Sequence, residues 1–258
     1  MSTKPSQFIW YDLMTTDVKA AEKFYADVVG WQISDSGLTH QAYSILKSRD
    51  IMVGGMMTIP EDAAKMGAKP AWMGHIYVDD VDAYAKKIKA AGGSIYRDAT
   101  DIPTIGRFAV AGDPTGAGFI IFKPSGSESA APLPDGTPGT IGWRELHSGN
   151  WEQAWDFYAK LFHWTKDETM DMGPMGKYQL FKAGGEFAYG GMMNKHEGSP
   201  MAHWAYYFYV DGVAKAAAKI TKHGGKITNG PMEVPGGQWS LNAMDPLGAH
   251  FNLLSKAK

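Results

Sequence analysis

The sequence repeats itself once, at an offset of 132 to 136 residues, and this duplication limits the possible folds more than any other feature. Four motifs recur in the same order: Phe-Tyr-Ala at 24–26 and 157–159, Gly-Gly-Met-Met at 54–57 and 190–193, Tyr-Val-Asp at 77–79 and 209–211, and Asp-Pro-x-Gly-Ala at 113–117 and 245–249. Repeat units of solenoid proteins are only about 20 to 50 residues long, so this period corresponds to a whole domain. A chain of 258 residues can form two such domains, each with its own core.

Charge and composition exclude several classes of function. The formal charge is −2 and lysine and arginine are scattered along the chain, so we predict no nucleic-acid partner. The first residues contain no apolar signal core and no run of about 18 apolar residues occurs, so we expect a cytoplasmic protein without a membrane partner. Cysteine is absent, which leaves His, Asp and Glu to form any metal site.

A stretch rich in Pro, Gly and Ser separates the two copies. Residues 124 to 139 contain almost no large apolar side chain, which is typical of a linker. We therefore predict a first domain over 1–124, a linker over 125–139 and a second domain over 140–258.

Both copies show the same order of predicted elements. Alternating strands at 8–14 and 141–147 run into Asp17 and Asn150, which are suited to cap the helices that follow. Three short strands follow each helix, and the pattern then restarts near Trp72 with a helix from Val81. Each half is thus predicted to hold two βαβββ modules. The fold class is α+β, with eight mostly antiparallel strands per half and helices on one face of each sheet, leaving the other face to curve around a cavity.

Three of these motifs carry a resemblance to a known family: Phe-Tyr-x-x-x-x-Gly-Trp at 24–31, Gly-His-Ile-Tyr-Val-Asp at 74–79, and the Asp-Pro-x-Gly turn. Together they resemble the vicinal oxygen chelate superfamily, which includes glyoxalase I, extradiol dioxygenases and the fosfomycin and bleomycin resistance proteins. The tandem form is similar to bacterial glyoxalase-like proteins built from two such domains. The resemblance covers nearly the whole chain outside the linker, and it implies curved sheets around a small-molecule site.

The resemblance also implies four places for metal ligands in each half. They fall on Trp10 and Trp143 in the first strand, on the Gly pairs at 54–55 and 190–191, on His75 and Tyr207, and on Ile120 and Asn252 in the last strand. Only His75 is a good ligand, whereas a catalytic metal usually needs about three protein ligands. We therefore predict no cofactor and no metal-dependent glyoxalase I activity.

A rebuilt divalent-metal site is the alternative to this prediction. Trp143, Glu145 and His147 alternate along one strand and so point to one face, and Glu-x-His on a strand can form half of a metal site. The equivalent positions in the first half are Trp10, Asp12 and Met14, so only the carboxylate recurs.

The carboxylates Asp12 and Glu145 and the imidazole of His75 are the candidate catalytic groups. An inward carboxylate on a strand acts as a general base or ligand anchor, or it is structural and paired with a group such as Arg144 or Arg107. His75 is a proton carrier in one interpretation and a core histidine in the other. The candidate ligand-binding residues, for which ordinary core packing is the alternative, are Trp10, Trp143, Tyr43, Tyr178, Trp72, Trp204, Tyr207, His147 and Asn252.

Two smaller expectations concern loops. The segment 168–177 carries Met170, Met172 and Met175 around a Gly-Pro pair, and we interpret it as a mobile apolar lid. The remaining histidines considered are expected to lie outside the site: His40, His163, His196, His223 and His250.

Two hypotheses of function follow from the residues and the resemblance. In the first, the chain binds a small aromatic or amphipathic metabolite in aromatic-lined cavities without the family's metal, as a monomer or homodimer. In the second, it is a lyase, isomerase or oxygenase of the same family that uses Asp12, Glu145 or a rebuilt metal site.

Overall fold

The computed structural model describes residues 4–38, 42–126 and 133–258. His40 and the central part of the expected linker lie outside these ranges. The first half forms β1 (Phe8–Thr15), α1 (Val18–Val28), β2 (Gln32–Asp35), β3 (Tyr43–Ser48), β4 (Ile51–Thr58), α2 (Glu61–Lys65), β5 (Ala71–Tyr77), α3 (Val81–Ala90), β6 (Ser94–Ile102), β7 (Gly106–Gly112) and β8 (Gly118–Pro124). The second half forms β9 (Ile141–Ser148), α4 (Trp151–Phe162), β10 (Thr165–Asp171), β11 (Lys177–Lys182), β12 (Gly190–Asn194), β13 (His203–Tyr209), α5 (Val213–Lys222), β14 (Lys226–Val234), β15 (Gln238–Met244) and β16 (His250–Ser255).

Each half contributes the eight strands of one mixed sheet, which confirms the α+β fold with two βαβββ modules per half. The strand orders are β2-β3-β4-β1-β5-β8-β7-β6 and β10-β11-β12-β9-β13-β16-β15-β14. In each module the first strand pairs in parallel with the last, as in β1 with β4 and β9 with β12. The pairs between consecutive strands within the last three strands of a module are antiparallel.

The helices begin at the expected capping residues. The Asp17 side chain accepts a hydrogen bond from the Ala20 amide, and Asn150 accepts from the amides of Glu152 and Gln153, which satisfies donors that a helix N-terminus leaves unpaired. At the other end of α1, Gly30 adopts a positive φ of 87°, a conformation that glycine reaches without steric cost. No helix of the described ranges has the length and apolar character needed to cross a membrane.

The chain packs into two compact units, and each unit takes one module from each half. Unit 1 comprises Met1–Ile9, Met73–Ser129 and Trp143–Trp204. Unit 2 comprises Trp10–Trp72, Ala130–Gly142 and Ala205–Lys258. Duplicated motifs from the two halves therefore meet inside a single unit.

The core of unit 2 joins the Phe-Tyr motif of the first half to the Asp-Pro motif of the second. The Tyr25 hydroxyl donates to Asp245 Oδ2 at 3.1 Å and accepts from Trp72 Nε1 at 3.1 Å. Phe24 and Tyr25 also pack edge-to-face on Phe251. Burial raises the pKa of Asp245, whereas hydrogen bonds from the turn amides and from Tyr25 act to lower it.

Unit 1 repeats this arrangement with the other two modules. Trp204 Nε1 donates to the Tyr158 hydroxyl at 2.8 Å, and Phe119 packs against Tyr158 and Phe162. Burial raises the pKa of Asp113, and hydrogen bonds from its own turn and from Tyr158 act in the opposite direction. Trp204 thus occupies the same core position as Trp72 in unit 2, since both are buried and bonded to a helix tyrosine.

The expected methionine lid is shorter than the sequence suggested. Residues 168–171 belong to β10, because Met170 pairs with Tyr178 across the β10–β11 ladder. The turn that remains contains a short 3₁₀ segment, Gly173–Met175, in which Met175 is exposed.

Candidate functional site

In unit 2, three side chains form a hydrogen-bonded network on the β1 face that carries Trp10 and Asp12. The Tyr43 hydroxyl donates to Asp12 Oδ1 at 2.5 Å. Trp10 Nε1 lies 2.7 Å from that hydroxyl and 3.0 Å from the same carboxylate oxygen. Asp12 is 7% exposed, whereas the two aromatic rings are half-buried. The Tyr43 hydroxyl and Trp10 Nε1 thus stabilise the buried carboxylate of Asp12. The rings of both residues remain partly exposed.

The Gly-Gly motif explains how Tyr43 reaches Asp12. Gly55 on β4 lies between them, since it is the parallel partner of Asp12 and its neighbour on β3 is Ile45. A Cβ at Gly55 would overlap the Tyr43 hydroxyl and ring, and a Cβ at Gly54 would overlap the carbonyl oxygen of Tyr11. Gly54 is therefore required for the close approach of β4 to the backbone of Tyr11, and Gly55 is required to leave room for the Tyr43 ring.

Unit 1 contains the equivalent network from the second half. Trp143 Nε1 donates to the Tyr178 hydroxyl at 2.7 Å, and that hydroxyl donates to Glu145 Oε2 at 2.6 Å. Gly191 is the parallel partner of Glu145, and a Cβ on it would overlap the Tyr178 ring. The structure therefore brings six of the candidate residues together in two matching triads.

Two imidazoles extend the network in unit 1. His147 Nε2 lies 2.7 Å from Glu145 Oε1, and the His203 ring stacks on the His147 ring with centroids 4.9 Å apart and planes 18° from parallel. The first half has Met14 and Ala71 at these positions. His203 was not among the candidate residues, although its place directly before the repeated Trp204, where Ala71 precedes Trp72, distinguishes the two halves in the sequence.

The hydroxyl of Tyr43 stays a hydrogen-bond donor because its ionisation is disfavoured. Burial is the largest cause that raises the pKa of Tyr43, and the negative charge of Asp12 raises it further. Tyr43 therefore stabilises the carboxylate as a neutral phenol.

The two arginines considered as partners for the carboxylates have other contacts. Arg107 forms ion pairs with Asp82 and Asp101, and the Arg144 guanidinium lies 4.2 Å from the centroid of the Tyr189 ring. Asp12 accepts hydrogen bonds from Tyr43 and Trp10, whereas Glu145 accepts from Tyr178 and contacts His147.

The other candidate residues lie outside the two triads. His75 is buried, pairs with Ile120 and packs against the ring of Phe122. In unit 2, Tyr207 pairs with Asn252, whose Oδ1 accepts from Asn242 at 2.6 Å. Trp72 and Trp204 belong to the helix-facing cores, so we leave them out of the proposed site.

The residues at the family's metal-ligand positions do not fit a metal ion. In the first half these positions hold an indole, a glycine pair, an imidazole and an Ile side chain, and the space beside Gly55 is filled by the Tyr43 ring. Indole and aliphatic side chains supply no lone pair suited to a divalent ion. Within the described ranges, no three His, Asp or Glu side chains are grouped so that they could hold a metal.

Comparison with known proteins identifies the relatives of the chain. Residues 7–121 match the model of the Glyoxalase/Bleomycin resistance protein/Dioxygenase superfamily. The protein named "Putative glyoxylase CFP32" of Mycobacterium tuberculosis is 34% identical over 96% of this chain and 94% of its own length. The "Anthracycline biosynthesis protein DnrV" of Streptomyces peucetius is 27% identical over 97% and 93%.

Two solved structures share the fold. The 2,3-dioxygenase LapB from Pseudomonas sp. KL28 has a TM-score of 0.64 and 12% identity, covering 100% of this chain and 94% of its own. The Mn(II)-bound glyoxalase from Novosphingobium aromaticivorans has a TM-score of 0.64 and 18% identity, covering 99% and 83%. At these identities the likeness concerns the fold alone.

Proposed function

Because the chain belongs to the Glyoxalase/Bleomycin resistance protein/Dioxygenase superfamily, we propose that it binds a small aromatic or amphipathic metabolite at its Trp–Tyr–carboxylate networks, without the family's metal centre. The observation that carries this proposal is the repetition of the network: Trp10, Tyr43 and Asp12 in one half match Trp143, Tyr178 and Glu145 in the other.

Each network combines the two properties of a small-molecule site. Ligand sites are mostly apolar and aromatic, with a few convergent polar groups that fix the orientation of the ligand. The half-buried rings of Trp10 and Trp143 supply flat apolar surface, and the buried carboxylates supply acceptors at fixed positions. A planar ligand with a donor group would satisfy both features.

The proposal of metal-free binding rests on the side chains that replace the ligands. Where the family places a ligand on the fourth strand, this chain has glycine, and the ring of Tyr43 or Tyr178 lies over it. Hydrogen bonding to the carboxylate thus takes the place of metal coordination. The name of the Streptomyces relative refers to anthracycline biosynthesis, which is consistent with an aromatic ligand.

The proposal can be tested by titrating the protein with a panel of planar aromatic compounds while recording tryptophan fluorescence. The double variant Trp10→Leu, Trp143→Leu should weaken binding about 2-fold to 10-fold per site, since an aromatic pair contributes about 0.5–1.5 kcal/mol. Trp239→Leu is a matched control, because Trp239 is half-buried on β15 and outside both networks. Full affinity in the double variant would contradict the proposal.

A second candidate is an enzyme of the same family, and the contact of His147 with Glu145 at 2.7 Å favours it. In that case a network carboxylate or its histidine would accept a proton during turnover. Asp12→Asn and Glu145→Gln separate the two candidates: turnover in the unmodified protein that these variants abolish indicates an enzyme, whereas ligand binding with no turnover in the unmodified protein indicates a binding protein.

A further inference from the structure

The two networks differ in the imidazoles that accompany the carboxylate. Beyond the shared triad, the second half adds His147 and His203 where the first half has Met14 and Ala71. We infer that the Glu145–His147–His203 group accepts the proton of a weakly acidic ligand hydroxyl, a phenol or an enol, and binds that ligand as its anion. This inference rests on the proposed function and specifies the ligand class for one of its two sites.

The contact between His147 and Glu145 defines which nitrogen can accept a proton. An ionised carboxylate only accepts hydrogen bonds, so Nε2 of His147 carries the hydrogen in the 2.7 Å contact with Glu145 Oε1. In the neutral ring Nδ1 then holds the lone pair. Glu145 in turn receives a hydrogen bond from Tyr178, which holds the carboxylate in place as the orienting group.

In His203, as in His147, a neighbouring acceptor determines which ring nitrogen carries the hydrogen. His203 Nδ1 lies 3.2 Å from the carbonyl oxygen of Met201, and because a carbonyl only accepts, Nδ1 carries the hydrogen. The lone pair of His203 is therefore on Nε2. Two positive charges on rings stacked this closely would repel each other.

Accessibility agrees with a role in ligand binding. The His147 side chain is 25% exposed, that of Glu145 is 14% exposed, and His203 is exposed. A ligand can therefore reach the imidazoles, while the carboxylate behind them is shielded. Among the described residues, the titratable groups around His147 include Glu145 on the same strand, His203 on β13 and, through Glu145, Tyr178 on β11.

The proton transfer is balanced within the site. The O–H bond of the ligand breaks, an N–H bond forms on His147 or His203, and no other group is gained or lost. When His147 accepts the proton, the product is an imidazolium between the ligand anion and Glu145, and a partly desolvated site stabilises this alternation of charge. The Asp12 network has Met14 at the same position, so it would bind the neutral form of a ligand.

The experiment uses para-nitrophenol, whose anion has a visible absorption band, and para-nitroanisole, which has no acidic hydrogen. Each probe is titrated with the full-length protein at a pH roughly one unit below the pKa of free para-nitrophenol, so that the free probe is mostly neutral. We expect the anion band of para-nitrophenol to grow on binding. His147→Met should weaken anion binding by about tenfold to about a hundredfold, because it removes a charge-assisted hydrogen bond.

The chain itself supplies the matched variants. His147→Met and His203→Ala introduce the residues that the first half carries at the same places, so the fold already accommodates them once. Binding of para-nitroanisole by each variant reports whether its aromatic site is intact. His203→Ala alone should reduce the anion band less than His147→Met, because His147 makes the 2.7 Å contact with Glu145.

Three results would overturn the inference. An unchanged anion band in the double variant His147→Met, His203→Ala would show that the imidazoles do not accept the proton. Binding of para-nitrophenol without an anion band would show a neutral ligand and leave the proposed function standing. If neither probe bound, the proposed function would fail for aromatic ligands and the inference would fail with it.

Discussion

At the scale of single residues, glycine decides where the polar network can form. In the sequence, the Gly pairs fall at the ligand positions that the family resemblance implies, and Asp12, Tyr43 and their counterparts are separate candidates. The structure shows that they depend on each other, because Tyr43 reaches Asp12 across Gly55 and Tyr178 reaches Glu145 across Gly191. No pattern in the sequence states that a tyrosine on one strand lies over a glycine on the next.

Gly55→Ala and Gly191→Ala should each destabilise the protein by about 1–3 kcal/mol, because the added methyl group overlaps a tyrosine ring in a packed site. Denaturant unfolding monitored by tryptophan fluorescence measures this loss. Gly185→Ala is the matched control, since a Cβ at Gly185 has no atom within 4 Å. Equal stability of Gly55→Ala and Gly185→Ala would show that the ring of Tyr43 moves aside freely.

The raised pKa of Tyr43 predicts a dependence of stability on alkaline pH. Burial, and then the charge of Asp12, raise the folded-state pKa above the ordinary value of 10.0. The unfolded chain therefore releases this proton first, and the contribution of Tyr43 to stability is complete below pH 10.0 and decreases as the pH rises above it. The free energy of unfolding of Tyr43→Phe should consequently decline less steeply between pH about 9 and about 11 than that of the unmodified protein. Tyr96→Phe, at an exposed tyrosine, serves as the control, and parallel slopes for Tyr43→Phe and the unmodified protein would contradict the assignment.

At the scale of elements, capping and periodicity predicted the helices well. Asp17 and Asn150 both accept hydrogen bonds from the first turns of their helices, and β1 and β9 each end one residue beyond the predicted bounds. These features are local, so the sequence contains them directly. The exception was the 168–177 segment, where glycine and proline suggested a loop but pairing with β11 extended a strand to Asp171.

The buried Trp–Tyr–Asp connections should make Tyr25→Phe and Tyr158→Phe destabilising by about 1–3 kcal/mol each. In unit 2 the change leaves Trp72 Nε1 and Asp245 Oδ2 without the hydroxyl that bonds both, and buried polar groups without partners cost about this much. Chemical denaturation measures the effect, with Tyr96→Phe on exposed β6 as the control. A loss no larger than that of the control would mean that the two groups find other partners.

At the scale of the whole molecule, the family is established but its usual metal chemistry does not match this chain. Our expectation remains that the protein lacks glyoxalase I activity, because that isomerisation requires a metal to polarise the substrate and the ligand positions hold unsuitable side chains. The assay with the hemithioacetal of methylglyoxal should give no turnover above background. Metal-dependent turnover would overturn this expectation.

Metal analysis of protein purified without chelator provides an independent check. We expect less than stoichiometric iron, zinc, manganese or nickel, and we expect aromatic-ligand affinity to be the same before and after treatment with a chelator. A stoichiometric metal that is lost together with ligand affinity would favour the alternative of a rebuilt site on Glu145 and His147.

The sequence by itself determined the duplication, the βαβββ order, the fold class and the carboxylates at the centre of each network, because repeats, periodicity and capping are properties of nearby residues. The tertiary structure alone decided which modules share a compact unit, that Trp72 and Trp204 belong to the core, and that His203 stacks on His147. These facts depend on contacts between residues that are far apart in the chain. Such contacts are set by the packing of helices and strands against each other, and a single sequence records only the residues that take part in them.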